Sequence, residues 1–504
     1  MLEAIDLDRR IEKEAYDASF PPLRDRLDDL QRAVYEAKIP VCIVFEGWDA
    51  AGKGDAIEKL VGRLDPRGYR VHPTYAPDAD EAMRPFLWRF WTRLPGKGEI
   101  VIFDRSWYHR LLQEHVAGDV SRKAWRSAFG EITRFERMLA DDGMVIVKLW
   151  LHISEKEQRK RFKALEASKY ERWKVSKDDW KAHKRYQEYL EAAEVMLERT
   201  STSCAPWTVV EATDKYFRRI KVVKTIIDAV QTALDRRAAP EQRQARVPRA
   251  SVSVPALRDV PTLLDEVDLS KSLDEESYEA QLEKYQARLR ELQLRCHDEH
   301  RPVIIACEGW DAAGKGGAIR RLLGSLDPRG YNVVPIAAPK GDEATHHYLW
   351  RFWRHIPRAG HWTIFDRTWY GRVLVERVEG FAQEAEWRRA FQEIREFEQS
   401  LANYGTVLVK LWFHISPEVQ LQRFREREQT EHKRYKITPE DWRNREKHDQ
   451  YRNAVTEMIA GTSTSYAPWT IVEANDKLWA RIKVMKTIAD AVGRGLRKPG
   501  KKKK

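Results

Sequence analysis

Sulfur is scarce in this chain: 504 residues carry four cysteines, Cys42, Cys204, Cys296 and Cys307, and no Cys-x-x-Cys pair. That usage argues against a thiol redox centre or a cysteine-ligated metal as the organising feature. Long apolar runs are missing too. No stretch approaches the about 18 residues that a membrane-spanning helix needs, and the amino terminus lacks the apolar core of a secretion signal. A cytoplasmic protein with no membrane association is the expectation. Negative charge is also in deficit, with 78 Asp and Glu against 90 Lys and Arg and a net charge of +12. A polyanionic partner suits that balance, although part of it sits in Lys498–Lys504, which reads as a solvated basic tail.

What the chain does have, it has twice. Glu46-Gly47-Trp48-Asp49-Ala50-Ala51-Gly52-Lys53-Gly54 returns 262 positions later as Glu308-Gly309-Trp310-Asp311-Ala312-Ala313-Gly314-Lys315-Gly316. Phe103-Asp104-Arg105 returns as Phe365-Asp366-Arg367, and Ala205-Pro206-Trp207 as Ala467-Pro468-Trp469, at the same offset. The repeat supplies an internal alignment. It places the four cysteines opposite Ile304, Tyr466, Val34 and Phe45, so no cysteine is common to both halves. The division expected is one domain over 10–236, a linker over 237–271 rich in Pro, Ala, Arg and Ser, a second domain over 272–497, and the tail over 498–504.

Each half opens with a helical pattern, in the second half Leu282, Tyr285, Leu289 and Leu292 at three- and four-residue spacing. Apolar runs at Val303–Cys307, Trp362–Phe365, Val407–Ile415 and Trp469–Val472 then read as strands separated by helices. Strands that are apolar on both faces imply a parallel sheet covered on both sides. The fold class is therefore α/β: tandem three-layer domains of P-loop kinase type, each with a helical lid.

Gly309-x4-Gly314-Lys315 follows a strand and precedes a helix, the context in which a glycine-rich loop cradles phosphate. Its backbone N–H groups and the helix amino terminus attract an anion, and Lys315 would neutralise phosphoryl oxygens. The position after the lysine departs from the usual pattern. Ser or Thr normally stands there and holds Mg2+ through its hydroxyl, but this chain has Gly54 and Gly316. The loop aspartate, Asp49 or Asp311, and the strand-end aspartate, Asp104 or Asp366, are the carboxylates left to hold the metal.

The loop Gly-x-Asp-x-x-Gly-Lys-Gly, the strand end Phe-Asp-Arg-[Ser/Thr]-Trp-Tyr, the segment Leu-Asp-Pro-Arg-Gly-Tyr and the segment Ala-Pro-Trp…Asp-Lys together resemble polyphosphate kinase 2, over nearly all of both halves. Fused two-domain members of that family resemble polyphosphate:AMP phosphotransferases. The resemblance implies inorganic polyphosphate as donor, AMP as acceptor giving ADP, Mg2+ as cofactor, and no nucleic acid partner; it leaves room for a homo-oligomer. In the second half it implies catalytic Asp311, Lys315, Asp366 and Arg367, with Asp311 and Asp366 on the metal. It implies phosphate or polyphosphate binding by Gly309, Gly314, Gly316, Arg372, Arg377, Arg423, Arg427, Lys433 and Lys436.

The two halves part company at several of these positions. Arg377 faces His115 in the alignment, Arg427 faces Leu165, Lys433 faces Glu171, and the loop continues as Gly316-Gly317 but as Gly54-Asp55. The first half retains Asp49, Lys53, Asp104 and Arg105. It reads as a degenerate copy and the second half as catalytic, since a polyanion channel needs fixed cations. Trp310 is a candidate for stacking on the base. Two other readings stay open: an ATP-dependent nucleotide kinase, against which the glycine after the lysine counts, and a non-catalytic polyanion-binding P-loop protein, which would have no need to keep both aspartates.

Overall fold

The computed structural model describes residues 2–238 and 262–496; in addition, the side chains of 432, 433 and 436 lie outside the described residues. Most of the expected linker and all of the basic tail fall outside this range. The described chain forms two compact units. Of the described residues, unit 1 contains 2–77, 89–238 and 341–347, and unit 2 contains 78–88, 262–340 and 348–496.

Unit 1 holds five strands, β1 (Val41–Gly47), β2 (Tyr69–Pro73), β3 (Ile100–Asp104), β4 (Val145–His152) and β5 (Trp207–Glu211). They lie in the order β2-β3-β1-β4-β5, and every pairing is parallel. Unit 2 repeats this with β6 (Val303–Gly309), β7 (Tyr331–Pro335), β8 (Trp362–Asp366), β9 (Val407–His414) and β10 (Trp469–Glu473), in the order β7-β8-β6-β9-β10, again parallel throughout. The central strands are buried along nearly their whole length. Parallel sheets need helices on both faces, and continuous Val and Ile runs are the sequence form of that burial.

The sequence reading expects four strands per half, and the structure has five. The missing one, β2 in unit 1 and β7 in unit 2, pairs on one side only, with β3 or β8. It lies at the sheet edge and leaves Asn332 and Val333 exposed, so its composition lacks the apolar run that marks the inner strands. The second half's opening helix, Glu275–Asp298, buries Leu289 and Leu292 completely, together with Tyr278 and Cys296.

One buried cluster fixes the segment after the strand-end Asp-Arg. Lys410 Nζ, with no exposure, donates to Glu398 (2.8 Å), the Tyr370 hydroxyl (3.0 Å) and the Thr462 carbonyl (2.7 Å). All three ammonium protons therefore have acceptors, as a charge removed from water requires. Glu398 also accepts from Trp369 Nε1 at 3.1 Å and from Tyr370 Oη at 2.5 Å. Unit 1 reproduces the cluster with Lys148, Glu136, Tyr108, Trp107 and Thr200. Removing Lys410 or Glu398 alone from such a pair costs about 3–5 kcal/mol by leaving a buried charge unpaired. No helix among the described residues is long and apolar enough to cross a membrane.

Candidate functional site

In unit 2 the chain leaves β6 at Gly309, turns through the loop, and enters the helix Lys315–Leu323. Gly309 has φ of 153°, and a Cβ there would fall 2.5 Å from the Phe413 carbonyl oxygen, so the close crossing of β9 admits only glycine. Gly314 caps the helix in the left-handed region, with φ of 102°. Ala312 (φ 61°) and Arg367 (φ 66°) also hold positive φ without being glycine, as do Ala50 and Arg105 in unit 1. Strained backbone of this kind persists where surrounding structure enforces it.

That enforcement is visible. Arg423, which is buried, donates Nη1 to the Ala312 carbonyl (3.0 Å) and Nη2 to the Ala474 and Asn475 carbonyls (2.8 and 2.7 Å). Gln420 donates to the Asp311 carbonyl at 3.2 Å. Lys315 Nζ rests on the carbonyls of Gly309 (2.6 Å) and Trp310 (3.2 Å), an arrangement that pre-positions the amine at the mouth of the loop. Trp310 is buried, stacks on His448 at 4.6 Å and donates to His414 Nδ1 at 3.0 Å. One face and the N–H are thus engaged inside the protein, and the ring is buried, which leaves it poorly placed to take a base.

The strand end arrives beside the loop because β8 pairs with β6 in a register that sets Asp366 against Cys307. Arg367 N donates to the Cys307 carbonyl at 3.1 Å. Thr368 gives both its N–H and its hydroxyl to Glu308 Oε1, each at 2.7 Å. Burial pushes the Glu308 carboxyl up, against the bonds from Thr368 and the charge of Lys315. Asp311 takes Arg367 Nη2 on one oxygen (3.3 Å) and Asn444 Nδ2 on the other (3.0 Å). Asp311, Lys315, Asp366 and Arg367 are therefore gathered at one loop mouth.

The remaining cations expected from the sequence are distributed differently. Arg372 lies 3.2 Å from Glu376 and over the Tyr348 ring at 4.6 Å. Arg377 pairs with Glu457 at 2.6 Å and lies over Trp387 at 4.0 Å. Arg427 stands in the last turn of the helix Pro417–Gln429. Gly316 is in the first turn of the loop helix. The side chains of Lys433 and Lys436 lie outside the described residues.

As a metal site the two aspartates offer hard carboxylate oxygens only, and the one thiol near them is unsuited, because burial pushes the Cys307 thiol up. Among the described residues no cluster of three or more His, Cys, Asp or Glu could hold an ion. Two carboxylates with the other positions left to water and phosphate oxygens fit a cation of the Mg2+ class and not a closed tetrahedral cage.

Unit 1 builds the same frame. Lys53 reaches the Gly47 and Trp48 carbonyls at 3.0 Å each, and Arg161 clamps Ala50, Ala212 and Thr213. Asp49 likewise pairs with Arg105, but in addition lies 3.7 Å from Lys53. The main departure sits on the loop itself. Arg218 Nη2 donates to Asp55 at 2.6 Å, Arg218 Nη1 to the Ala51 carbonyl at 3.1 Å, and Arg219 Nε to Asp55 at 2.9 Å. Burial raises the Asp55 carboxyl, but the two arginines outweigh it and hold the group below the usual carboxylate range. A Cβ built on Gly52 would lie 2.5 Å from the Arg218 guanidinium carbon. On Gly314 it would meet nothing within 4 Å among the described residues. The aligned positions in unit 2 are Gly317 and Ala480. An internal ion pair thus lies against the first loop, and the second loop lacks both partners.

A family model described as Polyphosphate kinase 2 matches residues 10–238 and again 272–499. A polyphosphate:AMP phosphotransferase of Pseudomonas aeruginosa is 45% identical over 497 residues, covering 98% of each chain. One from Pseudomonas syringae pv. tomato is 42% identical over 507 residues, covering 100% of both. A crystal structure of a candidate polyphosphate kinase 2 from Pseudomonas aeruginosa PA01 superposes with a TM-score of 0.85 at 42% identity, over 98% of this chain and 99% of that one.

Proposed function

The chain belongs to the polyphosphate kinase 2 family, and on that premise we propose that it moves the terminal phosphate of inorganic polyphosphate to AMP, giving ADP. An oxygen of the AMP phosphate attacks the terminal phosphorus, a new P–O bond forms, and the bridging P–O bond breaks. Polyphosphate leaves one unit shorter, carrying the electron pair. The acceptor phosphate is already largely deprotonated near pH 7, so no protein base is required, and alignment with charge neutralisation does most of the work.

The observation that carries the reading is the convergence of Asp311, Lys315 and Arg367 on a glycine loop where, among the described residues, nothing lies within 4 Å of a Cβ built on Gly314. Lys315 exchanges its carbonyl contacts for phosphoryl oxygens when the donor arrives, and Arg367 bears on the charge that develops on the transferred group. Loop N–H groups and the helix amino terminus hold the donor's end. Asp311 and Asp366 would hold Mg2+, which supplies charge neutralisation on the phosphate oxygens when bound. Arg427, Lys433 and Lys436 are assigned to the polyphosphate path, and Arg372 and Arg377 reach it only by releasing their present acidic partners. Arg423 supports the loop from beneath.

The same proposal makes residues 272–497 the catalytic domain and residues 10–236 a degenerate copy whose loop is held shut by Asp55 and Arg218, with 237–271 joining them. The location proposed is cytoplasmic, where AMP is made and used. The test is ADP formation from AMP, Mg2+ and long-chain polyphosphate without ATP. Product appearing under these conditions supports the assignment; product appearing only when ATP replaces polyphosphate overturns it in favour of an ordinary nucleotide kinase.

A further inference from the structure

Asp311 is held from two sides, and one of them comes from a short helix between β9 and β10. Asn444 lies in the helix Pro439–Glu446 and donates Nδ2 to Asp311 Oδ2 at 3.0 Å, while Arg367 reaches Oδ1 at 3.3 Å. The direction of the amide is set by its other end. The Tyr451 hydroxyl donates to Asn444 Oδ1 at 3.1 Å, with Glu379 Oε1 a longer alternative acceptor at 3.4 Å. Tyr451 is buried, and burial together with the Glu379 charge pushes its ionisation up, so it remains a donor. With its oxygen taken by Tyr451, Asn444 can present only N–H to Asp311.

The helix that carries Asn444 is itself anchored. Glu379, with 4% of its side chain exposed, pairs with Arg443 at 3.0 Å and Lys447 at 2.9 Å, one on each side of Asn444 in sequence. Arg445 adds bonds to the Pro417 carbonyl (2.7 Å) and Gln420 (3.0 Å). Unit 1 lacks both key groups: Ala182 stands at the Asn444 position and Ala117 at the Glu379 position. There the loop aspartate, Asp49, keeps its arginine partner, Arg105, but approaches Lys53 at 3.7 Å.

We propose that Asn444, oriented by Tyr451 and anchored through Glu379, is a positioning residue for Asp311. A neutral amide on Oδ2 fixes the carboxylate's rotation without neutralising it, which keeps Asp311 off Lys315 and leaves both groups for the substrate and its metal. Outer-shell partners of this kind commonly change metal affinity or rate by about 10–100-fold. The proposal rests on Asp311 being a working carboxylate, and the experiment separates the two.

Asn444→Ala, Tyr451→Phe, Asp311→Asn and the Asn444→Ala/Asp311→Asn pair are compared for kcat, polyphosphate KM, melting temperature, and Mn2+ affinity of the substrate-free protein by electron paramagnetic resonance. The expected result for Asn444→Ala is a roughly tenfold loss in kcat and in Mn2+ affinity, with polyphosphate KM within about twofold and melting temperature unchanged. Tyr451→Phe moves the same readouts in the same direction by less. The double variant is no worse than Asp311→Asn, because Asn444 acts only through that carboxylate. Asn444→Ala with wild-type kcat and Mn2+ affinity overturns the proposal, as does a double variant whose losses multiply. Retained activity in Asp311→Asn would instead overturn the reading of Asp311 on which it rests.

Discussion

The two phosphate loops share their glycines, their lysine, their strained alanine and the arginine clamp behind them, yet Arg218 lies against Gly52 in one, whereas a Cβ on Gly314 in the other would meet nothing within 4 Å among the described residues. The buried Lys-Glu-Tyr-Trp cluster is likewise the same in both units, bond for bond. What differs lies at the loop mouth and in the groups behind the loop aspartate: Asp55 and Arg218 against Gly317 and Ala480, and Ala182 and Ala117 against Asn444 and Glu379. Groups that hold a fold together cannot drift without leaving buried charge unpaired. Groups that hold a ligand can, once the ligand is no longer needed there. The Asp55–Arg218 pair places a carboxylate and a guanidinium at the first loop that the second loop lacks.

The largest contrast is expected at the loop aspartates. Asp311→Asn should slow ADP formation by roughly 10²–10³-fold, the scale of losing one preorganised charge-stabilising group, and Asp49→Asn should leave the rate within about twofold. Similar losses from both would break the asymmetry. Next is opening the closed loop. Asp55→Gly with Arg218→Ala, in a Lys315→Ala background, should add a pyrophosphate site that calorimetry detects and that the Lys315→Ala chain alone lacks. No added binding would show that the ion pair is not what closes unit 1.

Smaller effects sharpen what the units share. Arg161→Ala and Arg423→Ala each strand loop carbonyls and should each cost about 1–3 kcal/mol in denaturant unfolding, but only Arg423→Ala should lower activity. The smallest difference between units is in acid. Burial depresses His152 and His414 from 6.5 to about 4, and each accepts a hydrogen bond from the loop tryptophan. A depressed folded pKa means the unfolded chain binds more protons across this window. The stabilisation is therefore complete above pH 6.5 and is lost as pH falls toward 4. His152→Gln and His414→Gln should flatten that slope equally, as followed by melting temperature against pH.

Much of this was legible in the sequence for identifiable reasons. Val303–Cys307 read as a strand because burial on both faces leaves only apolar residues there, whereas Tyr331–Pro335 did not, because an edge strand pairs once and tolerates Asn332 in the open. Asp311, Lys315, Asp366 and Arg367 were visible as motif. Arg423 was visible as a cation, but its work on the carbonyls of Ala312, Ala474 and Asn475 was not, since those groups come together only in the fold. Asn444 and the Arg218 partner of Asp55 went unread, although the repeat itself carried a signal: at each position the two halves exchange a polar group for alanine or glycine.

The most direct measurement is ADP production from AMP, polyphosphate and Mg2+, without ATP, by Lys53→Ala and Lys315→Ala chains side by side. The account predicts activity near wild type for Lys53→Ala and loss of it for Lys315→Ala. Equal damage from both, or survival of Lys315→Ala, would contradict it.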